Sequence, residues 1–489
     1  MNKKLNGNIY DAKRWGLSSE AIADIGNRLH SFWERFRKCF NTKTREMSRH
    51  ALIYLKGLLE MDTKRNFANM ARRVIEPDED GQKLQHFMSD SPWSARLPIK
   101  QVQEEIKETP GLAGGYLLLD ESANEKAGSK SAGAGRQYNG RLGKVEMSQV
   151  GVFLAYYKDV IWSWVDGELF FPEHWFSKKM EQERKRVGMP EERKFATKIE
   201  LGWQMIQRAK ANGLPFKAVG CDDLYGRSGW LRRQMDEAGI VYMADIPEDM
   251  KVYVNKPDFG VPTSVVPKYK GKGEQKPRVL GGDKPVEVRQ VCKLSEKEFK
   301  RFKVRDMERG ELNDPFLMLR VWTIRDQKLA AEWLVIRHEY EKSYSYALCN
   351  ASADTDMQEL AKLKCVRHFV ECSNQDAKSE IGWDELQARK YRAWEHHLGL
   401  TIMASWFIAQ IKYDWANSFP KDAALAKQLE VEMLPALSVS NVRELLKAVM
   451  PLQQLTPEQA TNMVIQHLVN RSRSTASRLR AQQKKGALT

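Results

Sequence analysis

The sequence predicts an α/β fold that consists of a central domain of strands and helices, a β-rich insertion, and helical regions at both ends. Three observations support this prediction. A short apolar run that ends in an acid, typical of a buried strand, begins at Tyr116 and leads into an alternation of strands and helices. Short alternating runs return between residues 286 and 348. Helical periodicity dominates before residue 110 and after residue 356.

A chain of 489 residues is too long for one ordinary core, so we expect several domains. The predicted regions are an N-terminal helical region over 1–110, the first part of the central domain over 111–250, the β-rich insertion over 251–355, a helical second part of the central domain over 356–415, and a C-terminal helical region with a basic tail over 416–489.

The N-terminal region carries apolar residues at three- and four-residue intervals, with Arg and Lys between them. This pattern predicts helices over Ala21–Phe40, Ser48–Leu59 and Leu84–Met88, with a stop at Pro92. Several short basic helices suit a DNA-binding module of the helix-turn-helix type. A helical cap on the central domain is the alternative, because no short motif identifies a recognition helix.

The central domain follows a fixed order of elements. In sequence they are strands over Tyr116–Asp120, Gly151–Tyr157 and Val160–Val165, a hairpin turn at Asp166-Gly167 with a return strand over Glu168–Phe171, a helix over Lys194–Ala211, a strand over Phe216–Cys221, a helix over Trp230–Ala238, and a strand over Ile240–Ala244. Three strands, helix, strand, helix, strand is the order of a ribonuclease-H-like α/β fold. Such a fold implies no function by itself.

The remaining regions differ in periodicity. The insertion contains predicted strands over Val286–Val291, Phe302–Met307, Phe316–Ile324, Trp333–Ile336 and Tyr344–Leu348. From Met357 to Ile411 the pattern is strongly helical, and the last part, from Asp422, is helical and then basic. A loop rich in glycine and lysine is predicted from Asn124 to Lys144.

The net charge of +15 predicts a polyanionic partner, and the basic surplus is concentrated in three segments of the chain. The surplus of basic over acidic residues is +6 over 1–50, +8 over 251–310 and +6 over 470–489. Segmental surpluses are expected where particular surfaces follow phosphates, although a solvated tail explains the last one equally well.

Composition also argues against a membrane or secreted protein. The segment Met1–Tyr10 is polar and basic rather than signal-like, and the longest apolar run, near Leu398–Ile411, is shorter than the roughly 20 residues that cross a bilayer. Six cysteines without paired spacing predict reduced thiols, as in a cytoplasmic protein. We therefore expect a cytoplasmic protein with no membrane partner.

Three acids carry the predicted chemistry. Asp120 and Asp222 both end predicted strands of one sheet, at the edge where open α/β sheets place their ligands. Glu371 lies on a helix predicted from Leu363, and offsets of four and seven residues put it on one face with Arg367 and Lys378. Carboxylates that converge suit two Mg²⁺ ions about 3.5–4 Å apart, with Mn²⁺ as a substitute. Taken singly, each acid has a plainer explanation: a strand-end cap, or a salt bridge on a solvated helix.

Long blocks of sequence around the two aspartates resemble bacterial insertion-sequence transposases of the DDE superfamily, in particular the seven-oh-one family. Leu118–Lys126, Ser131–Tyr138 and Gly140–Lys144 look like the block around the first catalytic Asp. Asp222–Gly226 is similar to the second block, Asp-x-x-Tyr-Gly, which gives the catalytic position to Asp222 and a DNA-contact position to Tyr225.

The later helix matches this resemblance in three positions out of four. Arg367, Glu371 and Lys378 stand at the Arg, Glu and Lys of a Tyr-Arg-Glu-Lys pattern, and Lys364 replaces the Tyr. The resemblance covers roughly Arg35 to Ile411. It implies that Asp120, Asp222 and Glu371 are the catalytic and metal-binding residues, and that Arg367 and Lys378 contact DNA phosphates.

The implied reaction is cleavage of transposon ends by metal-held water, followed by in-line attack of the freed 3′-hydroxyl on target DNA. The implied partners are double-stranded DNA and a second copy of the chain, so we expect a homodimer on DNA at the bacterial nucleoid. Further expected DNA contacts are Lys126, Arg136 and Arg141 in the glycine-rich loop, which has a plain surface connection as its alternative, and Trp322, which has core packing as its alternative.

Two other functions remain open from the sequence. One is a non-catalytic DNA-binding relic that recognises terminal repeats, and the presence of all three acids argues against it. The other is a nuclease that only hydrolyses DNA. It offers no reason for so large a basic N-terminal region and insertion, and a strand-transfer assay separates it from a transposase.

Overall fold

A computed structural model describes residues 19–450 of the protein, except 43–44, 63, 76–79, 141–142, 263–275, 308–309, 340–342, 419–426 and 429–435, together with isolated residues beyond 450. The chain forms two compact units. The first contains residues 1–95, 378–388 and 392–489, and the second contains residues 96–377 and 389–391. The boundaries of the five predicted regions are not tested by this division and stay a prediction.

One large mixed sheet dominates the second unit. Its strands are β1 (Gly115–Glu125), β2 (Gly135–Asn139), β3 (Lys144–Lys158), β4 (Ile161–Leu169), β5 (Phe216–Cys221) and β6 (Val241–Ile246), with four more described below. Between them the short pairs β7 (Lys251–Val252) with β10 (Val286–Glu287), and β8 (Asp258–Gly260) with β9 (Arg278–Gly281), form two separate ribbons.

The centre of the sheet is parallel, and its edges are antiparallel. β1 runs parallel to β5, and β5 runs parallel to β6, whereas β3 pairs antiparallel with β1, β2 and β4. Leu117, Leu118 and Leu119 of β1 are all fully buried, as expected for a strand that is covered on both faces. The prediction of an α/β protein is confirmed.

The helices of the second unit are α5 (Arg96–Glu108), α6 (Glu181–Val187), α7 (Lys198–Ala211), α8 (Asp223–Gly226), α9 (Gly229–Glu237), α10 (Val288–Leu294), α11 (Met357–Cys365) and α12 (His368–Gln375). Of these, α7, α8, α9 and α12 pack on the central strands β1, β3, β5 and β6. α7 approaches β1 closely because Gly202 has no side chain: a Cβ there would lie 2.6 Å from the Leu119 side chain. α7 begins at Lys198 rather than at Lys194, because Thr197 and Glu200 form a capping box.

The strands predicted in the insertion continue the same sheet. They are β11 (Lys300–Met307), β12 (Gly310–Arg325), β13 (Lys328–His338) and β14 (Tyr344–Cys349). β14 pairs antiparallel with β6, in the register Tyr346 opposite Ile246 and Cys349 opposite Met243. The sheet order is therefore β11-β12-β13-β14-β6-β5-β1-β3-β2, with β4 beside β3.

The hairpin turn predicted at Asp166-Gly167 is wrong. β4 continues through these residues, with a register shift between Trp164 and Asp166, and the chain reverses earlier, at Asp159, which has a positive φ of 52°. The Asp166 carboxylate is buried and accepts hydrogen bonds from Arg96 Nη1 at 2.5 Å and Arg208 Nε at 3.0 Å. Two arginines therefore offset the cost of burying the Asp166 charge inside a strand. The local Asp-Gly sequence does not reveal these distant partners.

Two further predictions are corrected by burial patterns. Only the first two residues of Val286–Val291 form a strand, and α10 follows, because Val288, Val291 and Cys292 are buried at helical spacing. The predicted loop from Asn124 to Lys144 contains the end of β1 and the whole of β2, whose pairing with β3 needs little apolar surface.

The first unit is helical over the described residues. It contains α1 (Ser19–Phe36), α2 (Ser48–Glu60), α3 (Phe67–Val74), α4 (Gln82–Ser89), most of α13 (Tyr391–Ser418) and α14 (Val439–Val449). The three helices predicted in the N-terminal region lie at α1, α2 and α4. Sequence reasoning missed α3, although Asn66 caps it by accepting a hydrogen bond from the Asn69 backbone at 2.9 Å. It also missed α5, whose Pro98 is compatible with a first helical turn.

The longest helix, α13, is apolar on most of its surface, and its residues Leu398, Ile402 and Trp406 are almost fully buried. Such a helix is typical of a protein core. Among the described residues, no helix combines the length and the apolarity that crossing a membrane requires. The described part of the chain also holds six free cysteines, which agrees with the prediction of reduced thiols.

A buried acid in α2 gives the first unit a pH-dependent stability. Burial raises the pKa of Glu60 from 4.5 to about 7, and one of its carboxylate oxygens has no hydrogen-bond partner in the part of the chain that the structure describes. The folded state binds a proton at Glu60 that the unfolded state releases. The resulting contribution to the free energy of unfolding is fully present below pH 4.5 and is lost as the pH rises through about 7.

Glu60→Gln is therefore expected to stabilise the protein at pH 8 by about 2 kcal/mol and to change little at pH 4.5, because the amide never ionises. Urea unfolding at both pH values measures this difference. Glu444→Gln, at a largely exposed position of α14, is the control and should leave the pH dependence intact. Equal stabilisation of the Glu60 variant at both pH values would show that ionisation of the buried Glu60 does not cause the pH dependence.

Candidate active site

Two neighbouring strands bring Asp120 and Asp222 together. β1 and β5 are paired in parallel with Leu119 opposite Cys221, so the next residue of each strand is one of the two aspartates. β5 ends there, and Asp222 caps α8 by accepting hydrogen bonds from the backbone of Leu224 at 3.1 Å and Tyr225 at 3.4 Å. Asp120, by contrast, does not end its strand, because β1 continues to Glu125 along β3.

A third carboxylate joins these two. Asp120, Glu121 and Asp222 each offer an oxygen that lies within 4.8 Å of the other two, and this is the one such group of potential metal ligands among the described residues. Sequence reasoning missed Glu121, since neighbouring strand residues normally point to opposite faces. β5 ends opposite Leu119, so beyond this residue β1 has no paired strand on that side among the residues that the structure describes.

An asparagine and a tryptophan orient the first aspartate. Asn374 of α12 donates from Nδ2 to Asp120 Oδ2 at 3.1 Å, and its own Oδ1 accepts from Trp164 Nε1 at 2.9 Å. The indole thereby fixes which end of the amide faces Asp120, because only an oxygen can accept its proton. The other carboxylate oxygen, Asp120 Oδ1, accepts from the Glu121 backbone at 2.8 Å. The sequence carried no signal for Asn374.

The acids lie in an environment that opposes their charge. Burial, and then the charges of Asp222 and Glu121, raise the pKa of Asp120 to about 8. Burial, and then the charge of Glu121, raise the pKa of Asp222 to about 7. Neither aspartate forms an ion pair with any residue that the structure describes. A divalent cation among these oxygens would keep both acids ionised, and carboxylate oxygens are the ligands that Mg²⁺ prefers. The donor set therefore fits such an ion.

Glu371 does not belong to this group. The predicted helix from Leu363 is interrupted between α11 and α12, and Glu371 lies in the first turn of α12 with its side chain 53% exposed. Its carboxylate accepts from Arg367 Nη2 at 2.9 Å. Asn374, almost one turn further along α12, is the residue that contacts Asp120. A metal-binding role for Glu371 stays a prediction.

Arg367 links the two parts of the site. Its Nε lies 2.9 Å from Asp245 Oδ2, in addition to the pair with Glu371. Its positive charge lowers the pKa of both Asp120 and Asp222, which partly offsets the effect of burial. Lys364, which replaces the Tyr of the Tyr-Arg-Glu-Lys pattern, is buried and pairs with Asp245 at 2.7 Å. Asp245 is a further residue that sequence reasoning missed.

The residues that are expected to contact DNA differ in their exposure to solvent, and their role stays a prediction. Tyr225 is fully buried, whereas Arg136 is exposed on β2, and Lys126 and Trp322 are half-buried. Arg141 lies outside the described residues.

Lys378 falls in a π-helical segment, Asp376–Glu380, and from residue 378 on this segment belongs to the first unit. The face that Lys378 was predicted to share with Glu371 assumed a regular α-helix, so that argument no longer holds.

Comparison with known proteins identifies the class. Residues 35–311 match the model of the DDE superfamily endonucleases, and this match covers more than half of the chain. The chain belongs to this family. The matched residues include Asp120 and Asp222 and end before Glu371.

A relative agrees with this class. The chain is 28% identical over 206 residues to the "probable transposase for insertion sequence element IS701" of Microchaete diplosiphon. The match covers 40% of this chain and 48% of the relative, so the chain spans about half the length of that relative.

Proposed function

We propose that the protein is a DNA transposase that cleaves the ends of its element and joins them to target DNA by a DDE mechanism. The observation that carries this proposal is the meeting of Asp120, Glu121 and Asp222 where the parallel pairing of β1 and β5 ends, a place at which burial and mutual repulsion favour a divalent cation. The DDE family and the transposase relative support the same reaction class.

In this proposal Asp120 and Asp222 would hold Mg²⁺, or Mn²⁺ in its place, which would supply activation of the attacking oxygen and charge stabilisation of the leaving one. Asn374 and Trp164 keep the Asp120 carboxylate in one orientation. Arg367 holds Glu371 beside the acids until DNA arrives. Glu371 completes the site by a rotation of its half-exposed side chain, which frees Arg367 to pair with a phosphate.

The proposed substrate is double-stranded DNA, bound as a pair of element ends by two copies of the chain at the bacterial nucleoid. Arg136, Lys126, Arg141, Lys378, Tyr225 and Trp322 remain the proposed contacts beyond Arg367. The basic segments at 1–50, 251–310 and 470–489 suit a partner that carries phosphates. A relic that only binds DNA is disfavoured by the acids, which have no evident use in DNA binding.

Incubation of the protein with labelled element ends, target DNA and Mg²⁺ tests the proposal. Wild type is expected to release a 3′-hydroxyl end and to form joined products. Glu371→Gln is expected to lose cleavage by at least about a hundredfold and to keep DNA affinity, because it removes one charge at the site. Cutting without joining would identify a hydrolytic nuclease, and DNA binding without cutting would identify a relic. Full cleavage by the Glu371 variant would remove this residue from the site.

A further inference from the structure

Glu121 has contacts that neither a strand-edge acid nor the family triad explains. Its Oε1 lies 2.9 Å from Lys198 Nζ, at the first residue of α7. Its Oε2 is buried and has no hydrogen-bond partner among the described residues. Leaving such an acceptor unsatisfied costs about 1–3 kcal/mol, more for a charged group. One oxygen is therefore anchored by a cation, and the other is buried without such a partner.

Tyr225 gives a second, independent observation at the same place. Its side chain is fully buried, and its hydroxyl has no hydrogen-bond partner among the described residues. The charges of Glu121, Asp222 and Asp120 all act on this hydroxyl, with Glu121 the strongest of the three. A fully buried donor thus lies close to three half-buried carboxylates, and the Glu121 side chain is near enough to interact with its hydroxyl. Such a donor is typical of a site that is completed by a ligand.

The charges in the second unit agree with a site for a cation. Three carboxylates carry a formal charge of −3; Lys198 pairs with one of them, Glu121, whereas Arg367 pairs with Asp245 and Glu371 outside the group. Lys198 occupies one oxygen of Glu121 and leaves the other one free. This leaves room for one divalent ion with oxygen ligands from three side chains.

We propose that Glu121 is a direct ligand of the divalent ion that Asp120 and Asp222 hold, with Lys198 as the positioning residue and the Tyr225 hydroxyl as a donor to the bound carboxylates. The first ion site is then complete without Glu371, and it fills before DNA binds. The identity of the DNA reaction rests on the proposed function, but this metal site does not.

Titration of the full chain with Mn²⁺ in the absence of DNA, with the free ion followed by electron paramagnetic resonance, tests the proposal. Wild type is expected to bind one ion. Glu121→Gln is expected to weaken binding at least tenfold, because it removes a ligand charge, whereas Glu371→Gln should stay within twofold of wild type. Tyr225→Phe, which keeps the ring and removes the hydroxyl, should weaken binding two- to fivefold.

Glu125→Gln is the matched control, since it changes an exposed acid near the end of the same strand, and it should bind as wild type does. Circular dichroism confirms that each variant is folded. If Glu121→Gln does not fold, Glu121→Asp replaces it, and its shorter side chain should also weaken binding at least tenfold.

Two results would overturn the proposal: unchanged Mn²⁺ affinity in the folded Glu121 variant, or an equal loss of affinity in the Glu371 variant. The proposed function can fail separately. If wild type binds Mn²⁺ through Glu121 and cleaves no element end, the metal site stands and the transposase does not.

Discussion

An Asp222→Asn variant is expected to lose magnesium-dependent cleavage of an element end by about a thousandfold or more, which corresponds to several kcal/mol of lost stabilisation. The amide has the same shape as the carboxylate but no charge, so it binds a divalent ion poorly. Asparagine still accepts the backbone hydrogen bonds by which Asp222 caps α8, so the local fold should persist. Asp120→Asn should have the same effect, since Asp120 belongs to the same group of oxygens.

The neighbouring acid provides the control for this experiment. Asp223 is half-exposed and pairs with Arg227 at 2.8 Å, away from the three converging carboxylates. Asp223→Asn should cleave within about twofold of wild type, since an exposed ion pair contributes little. DNA affinity, measured by gel shift without metal, should be similar in all variants. Substantial cleavage by the Asp222 variant would remove that residue from the catalytic group.

The largest expected loss of stability concerns a buried ion pair between α9 and the sheet. Arg232 and Glu332 are both almost completely buried, and Arg232 Nη1 lies 2.6 Å from Glu332 Oε2. The hydroxyls of Thr323 and Tyr242 also donate to this carboxylate. Arg232→Met would leave the acid buried without its main cation. It is expected to lower the free energy of unfolding by about 3–5 kcal/mol.

The adjacent arginine is a matched control. Arg233 pairs with Glu237 at 2.9 Å on the surface of the same helix, so Arg233→Met should change stability by less than about 0.5 kcal/mol. Adding Glu332→Leu to the Arg232 variant should recover part of the loss, since no unpaired charge then remains. Urea unfolding measures all three variants. A loss below about 1 kcal/mol in the single variant would show that Arg325 and the hydroxyls suffice to hold Glu332.

The aspartates could be predicted from the sequence because their signal is local. Each one follows an apolar run, and the parallel pairing of two such strands brings the next residues together without any distant information. Glu121 could not be predicted in this way, because alternation along a strand assigns it to the opposite face. Asn374 acts on Asp120 across 254 positions of the chain, and no periodicity reports a contact of that kind.

The errors in secondary structure have a common physical origin. Asp166-Gly167 has the composition of a turn, but two arginines from distant helices neutralise the buried acid and let the strand continue. Val286–Val291 has the β-branched composition of a strand, but burial of Val288, Val291 and Cys292 selects a helix. In both cases tertiary contacts overrode a local preference that the sequence alone could read.

Hydrogen bonding continues without interruption from β5 to β6 and from β6 to β14, β13 and β12. Force applied to the end of β12 is therefore transmitted through backbone hydrogen bonds between strands to β5, which Asp222 directly follows. This half of the molecule should behave as a stiff plate rather than as a hinged arm. A ligand bound near Trp322 would thus be connected to the strand that precedes Asp222 through paired backbone alone.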